Sequence, residues 1–502
     1  MMRPRSLRCT GTRFARRALL PALVAAAVTA PVQAADLLTI ARDALQSNAE
    51  LSSARSQTRS VEAGRDVQQA DLLPQVEITG NATHSRDYES QSNSGSGSNL
   101  SGLSPSQQQI AAALASGSSS QDDNVNSVGL ELRATQALYD AINSRQVEQS
   151  EREIDQQLYR LAATEQQVLI DVSSAYFEIL RAFEVLEARR AQERAIGRQL
   201  EQAREQFEVG LIAITEVEEA QAAFDQARAE RITAQSNLQV RFEALERLTG
   251  QRYASIDSLG DEIPIVAPTP SDRDQWVALA MQNNPQVLAS QAGVEVSRSG
   301  VDIARAGRLP TVNAFANYSY ADSDADGVSG HDSDSQVGLE ASLPLYTGGR
   351  TSASIRQNTY LLEASQYDFE SQRRDTVQQV RSFYTQVSND VSTVEARAQA
   401  IVSNQSALDA TRAGYEVGTR NIVDVLNAEQ NLYNAVADFA SARYDYVINL
   451  LTLRQQSGTL DVPAVEEVNA WLDGGGVSFT LPENAEANDA VMDIGAPPRL
   501  EE

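Results

Sequence analysis

Residues able to do covalent chemistry are scarce in this chain of 502 residues. The two histidines, His84 and His331, read as surface residues near opposite hairpin ends, and the single cysteine is Cys9. No nucleophile–base pair and no phosphate-cradling glycine loop stands out. No catalytic residue, resident metal or cofactor is expected. Asp322-Ser323-Asp324-Ala325-Asp326-Gly327 matches the first half of a calcium loop, but Ser333 stands where the bidentate Glu belongs, and strands are expected on both sides. An acidic outer loop is the better reading. Gly414 to Gln430 offers a different, electrostatic chemistry: Tyr415, Arg420 and Asp424 gather around Gly418, and a weaker copy 208 positions earlier sets Thr215 and Glu216 beside Gly210. Arg420 is able to pair with Glu216 or the Thr215 hydroxyl on the adjacent hairpin, and Tyr415 to donate to Glu216. If several copies converge at these turns, their Asp424 carboxylates repel one another and attract cations. The bland alternative is a capped helical hairpin with a solvated salt bridge worth under about 1 kcal/mol.

The elements that must position these residues are long helices. Gly210 and Gly418 each follow a helical run, where a residue with positive φ commonly ends a helix. Thr215 with Glu218 predicts a capping box for the helix that follows. Ile154, Leu158, Leu161, Val168, Val172, Ala175, Ile179, Ala182 and Leu186 keep a 4,3 apolar spacing, repeated by Val377, Val380, Tyr384, Val387, Val391, Val394, Ala398 and Ile401. Such a repeat predicts coiled-coil-like packing with a left-handed supercoil. Tyr176 and Tyr384 read as core residues. Helices are expected over about 141–206, 215–248, 350–413 and 422–454.

One structural unit is written twice. Asn48 matches Asn284 and Leu73-Pro74 matches Leu309-Pro310 at a spacing of 236; beyond a Ser/Gly/Gln-rich insertion at about Glu89 to Asp123, Gly210/Gly418 and Val217/Val425 hold an offset of 208. The expected units are 35–270 and 271–472, the second closing in a segment packed on the helical shaft. Gln251 to Pro270 reads as an irregular connector, and 473–502 as a disordered acidic tail.

Four runs alternate with period two, over about 75–88, 125–138, 311–321 and 335–346. Val76, Ile78, Gly80 and Ala82 face away from Glu77, Thr79 and Asn81; the same holds for Val128, Leu130 and Leu132 against Glu131 and Arg133, for Val312, Ala314 and Ala316 against Asn313 and Asn317, and for Val337 and Leu339 against Glu340. Phe315 breaks the polar side. Runs of about ten residues suit tilted transmembrane strands with lipid on one side and water on the other. An open four-stranded sheet would leave edge groups unpaired in lipid, so a barrel must be shared, two or three copies being the smallest solutions.

Six arginines before the apolar run Ala18 to Ala30, followed by Val32-Gln33-Ala34, predict a secretory signal over 1–34, cleaved after Ala34 or Ala35. That removes Cys9, leaving the mature chain without a thiol or a lipidation site. The net charge of −27 argues against nucleic acid as a partner. An adaptor or coiled-coil adhesin without a pore would also suit the long hairpins, but not the four strands.

Tyr415-Glu416-Val417-Gly418-Thr419-Arg420-Asn421-Ile422-Val423-Asp424-Val425-Leu426, with Leu432-Tyr433-Asn434-Ala435 and Ala442-Arg443-Tyr444-Asp445-Tyr446, closely resembles the TolC-type outer-membrane efflux channels. Leu345-Tyr346-Thr347-Gly348-Gly349-Arg350 is similar to that family's strand-to-helix junction. The resemblance runs through nearly the whole mature chain. It implies a mainly α fold with a transmembrane β part: a homotrimer with a twelve-stranded β-barrel in the outer membrane, continued by a twelve-helix periplasmic α-barrel. The implied role is passive export of proteins or small molecules, with a periplasmic adaptor and an inner-membrane ABC, RND or similar pump. It also maps Tyr415, Arg420, Thr215 and Glu216 onto the links that restrain a gate, and Asp424 onto a constriction ring. Asn427 departs from the second aspartate expected there, and Glu216 stands where Asp is usual.

Overall fold

The computed structural model describes residues 34–86, 124–260, 263–323 and 330–478. The expected signal segment up to residue 33, the first-repeat insertion, the calcium-like residues from Asp324 to Gly327 and the tail beyond Ser478 lie outside them. In chain order the elements are α1 (Leu37–Ser47), α2 (Ala49–Ala70), β1 (Gln75–Arg86), β2 (Asn124–Asp140), α3 (Ala141–Glu208), α4 (Ile214–Thr249), β3 (Ser255–Leu259), α5 (Arg273–Asn283), α6 (Pro285–Ala306), β4 (Thr311–Ser323), β5 (Gly330–Ser342), α7 (Arg350–Glu416), α8 (Ile422–Gln456), α9 (Val462–Asn469) and β6 (Leu472–Ser478).

The alternating runs form one antiparallel sheet of order β1-β2-β4-β5. Its register puts Ile78, Leu132 and Tyr318 in one row and Ala134, Ala316 and Val337 in the next. These rows make a continuous apolar face whose large side chains are exposed, from Val76 and Ile78 through Leu130 to Val337 and Leu339. The opposite face aligns Glu77, Arg133, Asn317 and Gln336. Phe315, the exception on that side, covers the gap left by its cross-strand partner: a Cβ at Gly338 would lie 2.7 Å from the Phe315 ring. The fourth strand runs Gly330–Ser342, so Leu345 and Tyr346 leave the sheet, and Gly348 and Gly349, at φ 62° and 85°, turn the chain into α7.

α3 has 68 residues, about 100 Å at 1.5 Å per residue. It packs against α2 and α6 near the sheet and against α4 and α8 at the other end; α7 packs against α6 and α8. The predicted stripe is buried at Val168, Val172, Ile179 and Leu186, and its second copy at Val380, Val387 and Val394, seven residues apart. α2 and α6, read from the sequence only as duplicated markers, join end-on to α4 and α8. Asn48 Oδ1 accepts from Leu51 N of α2 (3.1 Å) while Nδ2 donates to Leu248 O of α4 (3.0 Å). Asn284 accepts from Gln286 N and Val287 N of α6 and donates to Gln456 O of α8 (2.8 Å). One buried amide thus closes two helix ends at once, which accounts for the 236-residue repeat of this asparagine.

Midway along the shaft, α1, α5, α9 and a small sheet surround a core built on Tyr176, Phe177, Trp276, Tyr444 and Tyr446. Tyr176 donates to Asp257 O (2.6 Å), and Tyr384, half-buried, donates to Ser271 O. Two expectations are corrected here. The connector holds a strand, β3, and the tail begins as a strand, β6; they pair from Ser255–Ser478 to Leu259–Leu472. Glycines 474–476 carry no alternating side-chain signal, so only the pairing reveals the strand.

Gly458 closes this region. At φ 73° it lies against the α5–α6 junction, where an added Cβ would sit 2.3 Å from the Asn283 carbonyl carbon. Gly458→Ala is expected to cost about 3 kcal/mol, combining left-handed backbone strain with overpacking. Gly474→Ala, with open space around it, is expected to leave the thermal midpoint unchanged; equal midpoints in both variants would refute the contact.

Candidate functional site at the helix tips

The α3–α4 and α7–α8 turns close with the same hydrogen bonds. Gly210 N donates to Phe207 O (2.9 Å) and Leu211 N to Gln206 O (2.8 Å); Gly418 N donates to Tyr415 O (3.0 Å) and Thr419 N to Gly414 O (2.9 Å). Gly210 and Gly418 have φ of 75° and 76°, the left-handed conformation this closure needs. The duplication therefore extends to backbone geometry.

The caps of the following helices differ. The capping box expected at Thr215 and Glu218 does not form, because α4 starts at Ile214 with Ala213 as N-cap and no side-chain cap bond. Thr215 is already inside the helix, two positions too late to cap it. The box forms instead in the second turn: Asp424 N donates to Asn421 Oδ1 (2.8 Å), and Asn421 N donates back to Asp424 Oδ2 (3.4 Å). Asn421 and Asp424, three apart, carried that signal in the sequence.

Tyr415 bridges two apolar clusters, one of Leu200, Ala203, Val217 and Ile422, the other of Leu408, Val425 and Leu432. Its hydroxyl donates to Gln206 Oε1 of α3 at 3.0 Å, so the partner within the chain is Gln206, a residue the sequence reading passed over, and not Glu216. Burial raises the Tyr415 pKa, and the nearby Glu216 charge raises it further; the phenol stays protonated, as a donor must. Arg420 lies with Nη1 3.8 Å from Asp424 Oδ2, its side chain 61% exposed, and its stem covers Gly414, where a Cβ would meet Cγ at 2.9 Å. Within one chain Arg420 thus meets Asp424, not Thr215 or Glu216. Asp424 remains 38% exposed, and Asn427, one turn on, is exposed as well. The tip therefore presents a partly free carboxylate, a free guanidinium edge and a half-buried tie between hairpins.

Among the described residues no group of His, Cys, Asp and Glu could hold a metal ion, and His84 and His331 sit on the two outermost strands of the sheet. No helix there is long and apolar enough to cross a membrane.

The family model for outer membrane efflux proteins matches residues 40–251 and 276–459. The chain belongs to the outer membrane efflux protein family. It is 37% identical over 342 residues to the outer membrane protein TolC of Vibrio cholerae, covering 67% of this chain and 78% of that protein. It is 33% identical over 315 residues to the alkaline protease secretion protein AprF of Pseudomonas aeruginosa, covering 62% and 65%. Its fold matches the outer membrane protein VceC of Vibrio cholerae, with a TM-score of 0.66 at 18% identity over 85% of this chain and 97% of that one. The Campylobacter jejuni CmeC outer membrane channel gives 0.67 at 16% identity, over 87% and 90%. As an efflux protein of this family the chain is an outer-membrane channel component and not an enzyme.

Proposed function

We propose that this protein is the protomer of a trimeric channel-tunnel for passive export across the outer membrane, gated at its helix tips. The observation that carries this reading is the incomplete sheet. One face is apolar and exposed, the other polar, and β1 and β5 keep an unpaired outer edge among the described residues. In lipid those edges need partners, and three copies of four strands close a barrel of twelve. The helical shaft supports the same closure: Val67 of α2, Ile232 and Val240 of α4, and Tyr360, Leu361, Tyr367 and Val402 of α7 are exposed on its flanking helices. A heterologous contact of this kind closes into a ring. On this reading 35–270 and 271–472 are the two repeats, and 1–34 is the secretory signal.

Closure of the ring would bring three Asp424 carboxylates toward one axis, with Asn427 facing the same way. Tyr415, Arg420, Thr215 and Glu216 would restrain the tips, Arg420 reaching Thr215 and Glu216 of the adjacent subunit. A periplasmic adaptor would engage the tips and an inner-membrane pump would supply the energy; the alkaline protease secretion relative favours protein among the exported substrates. The test is extraction of the protein from outer membranes, its mass in detergent and its conductance in planar bilayers. A trimer conducting ions is expected; a lone water-soluble chain without conductance would overturn the proposal. In the same bilayers Asp424→Ala is expected to weaken block by multivalent cations about tenfold, since the carboxylates attract the blocker. Identical block would remove Asp424 from the pore.

A further inference from the structure

Among the described residues Glu429 is the one buried acid, with its side chain 0% exposed. It lies on α8 where that helix meets α3 and α7. Arg412 Nη2 of α7 donates to its Oε1 at 2.6 Å, and Gln199 Nε2 of α3 donates to the same oxygen at 3.3 Å. Glu429 Oε2 and Arg412 Nε are both buried and have no partner. Gln199 stands one heptad before Gln206 on α3, so the cluster sits two turns further from the tip than the Tyr415–Gln206 tie.

The other repeat supplies the comparison. At the 208-residue offset the counterparts of Arg412 and Glu429 are Arg204 and Gln221. They also touch, Arg204 Nη2 donating to Gln221 Oε1 at 2.6 Å, but in an exposed position and without an acid. A need of the helical scaffold would be met alike in both hairpins. The fully buried acid is found only, among the described residues, on the hairpin that carries Tyr415, Arg420 and Asp424; Glu178 and Glu230 on α3 and α4 each bury one oxygen but stay about a quarter exposed and face Arg241 and Arg189. The Arg412 side chain keeps 39% of its surface exposed, so the desolvation falls on Glu429; a charge buried in this way adds little stability over an apolar residue of the same size, and its best-attested use is in selecting between states.

We propose that Glu429 is an opening bias built into the gate. While α8 lies on α3, one carboxylate oxygen and one guanidinium N–H are sealed from water without partners. When the α7–α8 hairpin leaves α3, the Arg412–Glu429 pair travels intact, because both residues belong to that hairpin. Of the two bonds to Glu429 only the long Gln199 contact is lost, and the two orphaned atoms hydrate. Hydration favours the open arrangement, and the Tyr415–Gln206 tie nearer the tip opposes it. This inference rests on the tip-gating reading above.

The test compares Glu429→Met, Arg412→Met, their double variant and Tyr415→Phe as assembled protein in planar bilayers. Methionine fills the site without a charge to hydrate, so Glu429→Met is expected to lower the open-to-closed ratio about tenfold, the equivalent of relieving one unsatisfied buried acceptor. It is also expected to suppress the leak of Tyr415→Phe when the two are combined. Arg412→Met strands the charge and is expected to raise the ratio, and the double variant to return to the Glu429→Met level. A rise in Glu429→Met would make Glu429 a latch and overturn the proposal, as would no change beside a leaking Tyr415→Phe. If neither Glu429→Met nor Tyr415→Phe alters conductance, the gate itself falls. Should Arg412→Met fail to assemble, Glu429→Met decides alone.

Discussion

Val337→Arg is expected to abolish insertion of the barrel, while Gln336→Arg, one residue away, leaves it intact. Val337 is 84% exposed on the apolar face, about midway along the outer strand β5 and in register with Ala316. An arginine on the lipid face at mid-depth costs about 2–4 kcal/mol, and a closed trimer would carry it three times. Gln336 pairs with Asn317 on the polar face, where a charge meets water. Successive strand residues point to opposite faces, so the two variants test sidedness with no change of strand or depth. Outer-membrane yield of assembled protein separates them. Equal assembly of both would deny that this face meets lipid, and the membrane-spanning role of the sheet would go with it.

Tyr415→Phe is the second variant with a large expected effect. It keeps the ring between its two apolar clusters and deletes only the hydroxyl that donates to Gln206. A half-buried hydrogen bond of this kind contributes about 1 kcal/mol net. In the proposed trimer three copies lost together would come to about 3 kcal/mol, or about a hundredfold in the open-to-closed ratio if the tips part in concert. Single-channel conductance and leakage of large antibiotics into cells are the readouts. Unchanged closed-state conductance would remove Tyr415 from the gate. Arg420→Ser beside it asks a different question. The intrachain contact with Asp424 is long and exposed, and such pairs contribute about 0–1 kcal/mol. A leak as large as that of Tyr415→Phe would therefore mean that Arg420 bonds across the subunit boundary.

The candidate site was only partly legible. Gly210 and Gly418 were readable as turns because a helix end demands a left-handed residue at a defined place. Tyr415 and Arg420 were readable as polar groups beside those turns, but their partners within the chain, Gln206 and Asp424, were not. Gln206 lies one turn before Gly210 and has no motif of its own. What selects it is the packing of α3 against α8 and Tyr415, a contact across about two hundred residues of chain. The cap was misplaced for a local reason: at Thr215 a capping pattern sat two residues past the actual N-cap, and at Asn421 a true one lacked the Ser or Thr that usually announces it.

What the chain declares by itself is whatever repeats with a period. Two-residue alternation determined the four strands and which face of each is apolar. Seven-residue spacing determined the helical stripes, and an offset of 208 determined that both hairpins turn alike. These signals survive in sequence because every residue along an element meets the same environment at a regular interval. Tertiary structure alone decided the pairing of β3 with β6, the end-on joints made by Asn48 and Asn284, and the burial of Glu429 between three helices. Each of these depends on a single residue meeting one particular neighbour far away in the chain, and a lone contact leaves no period to read.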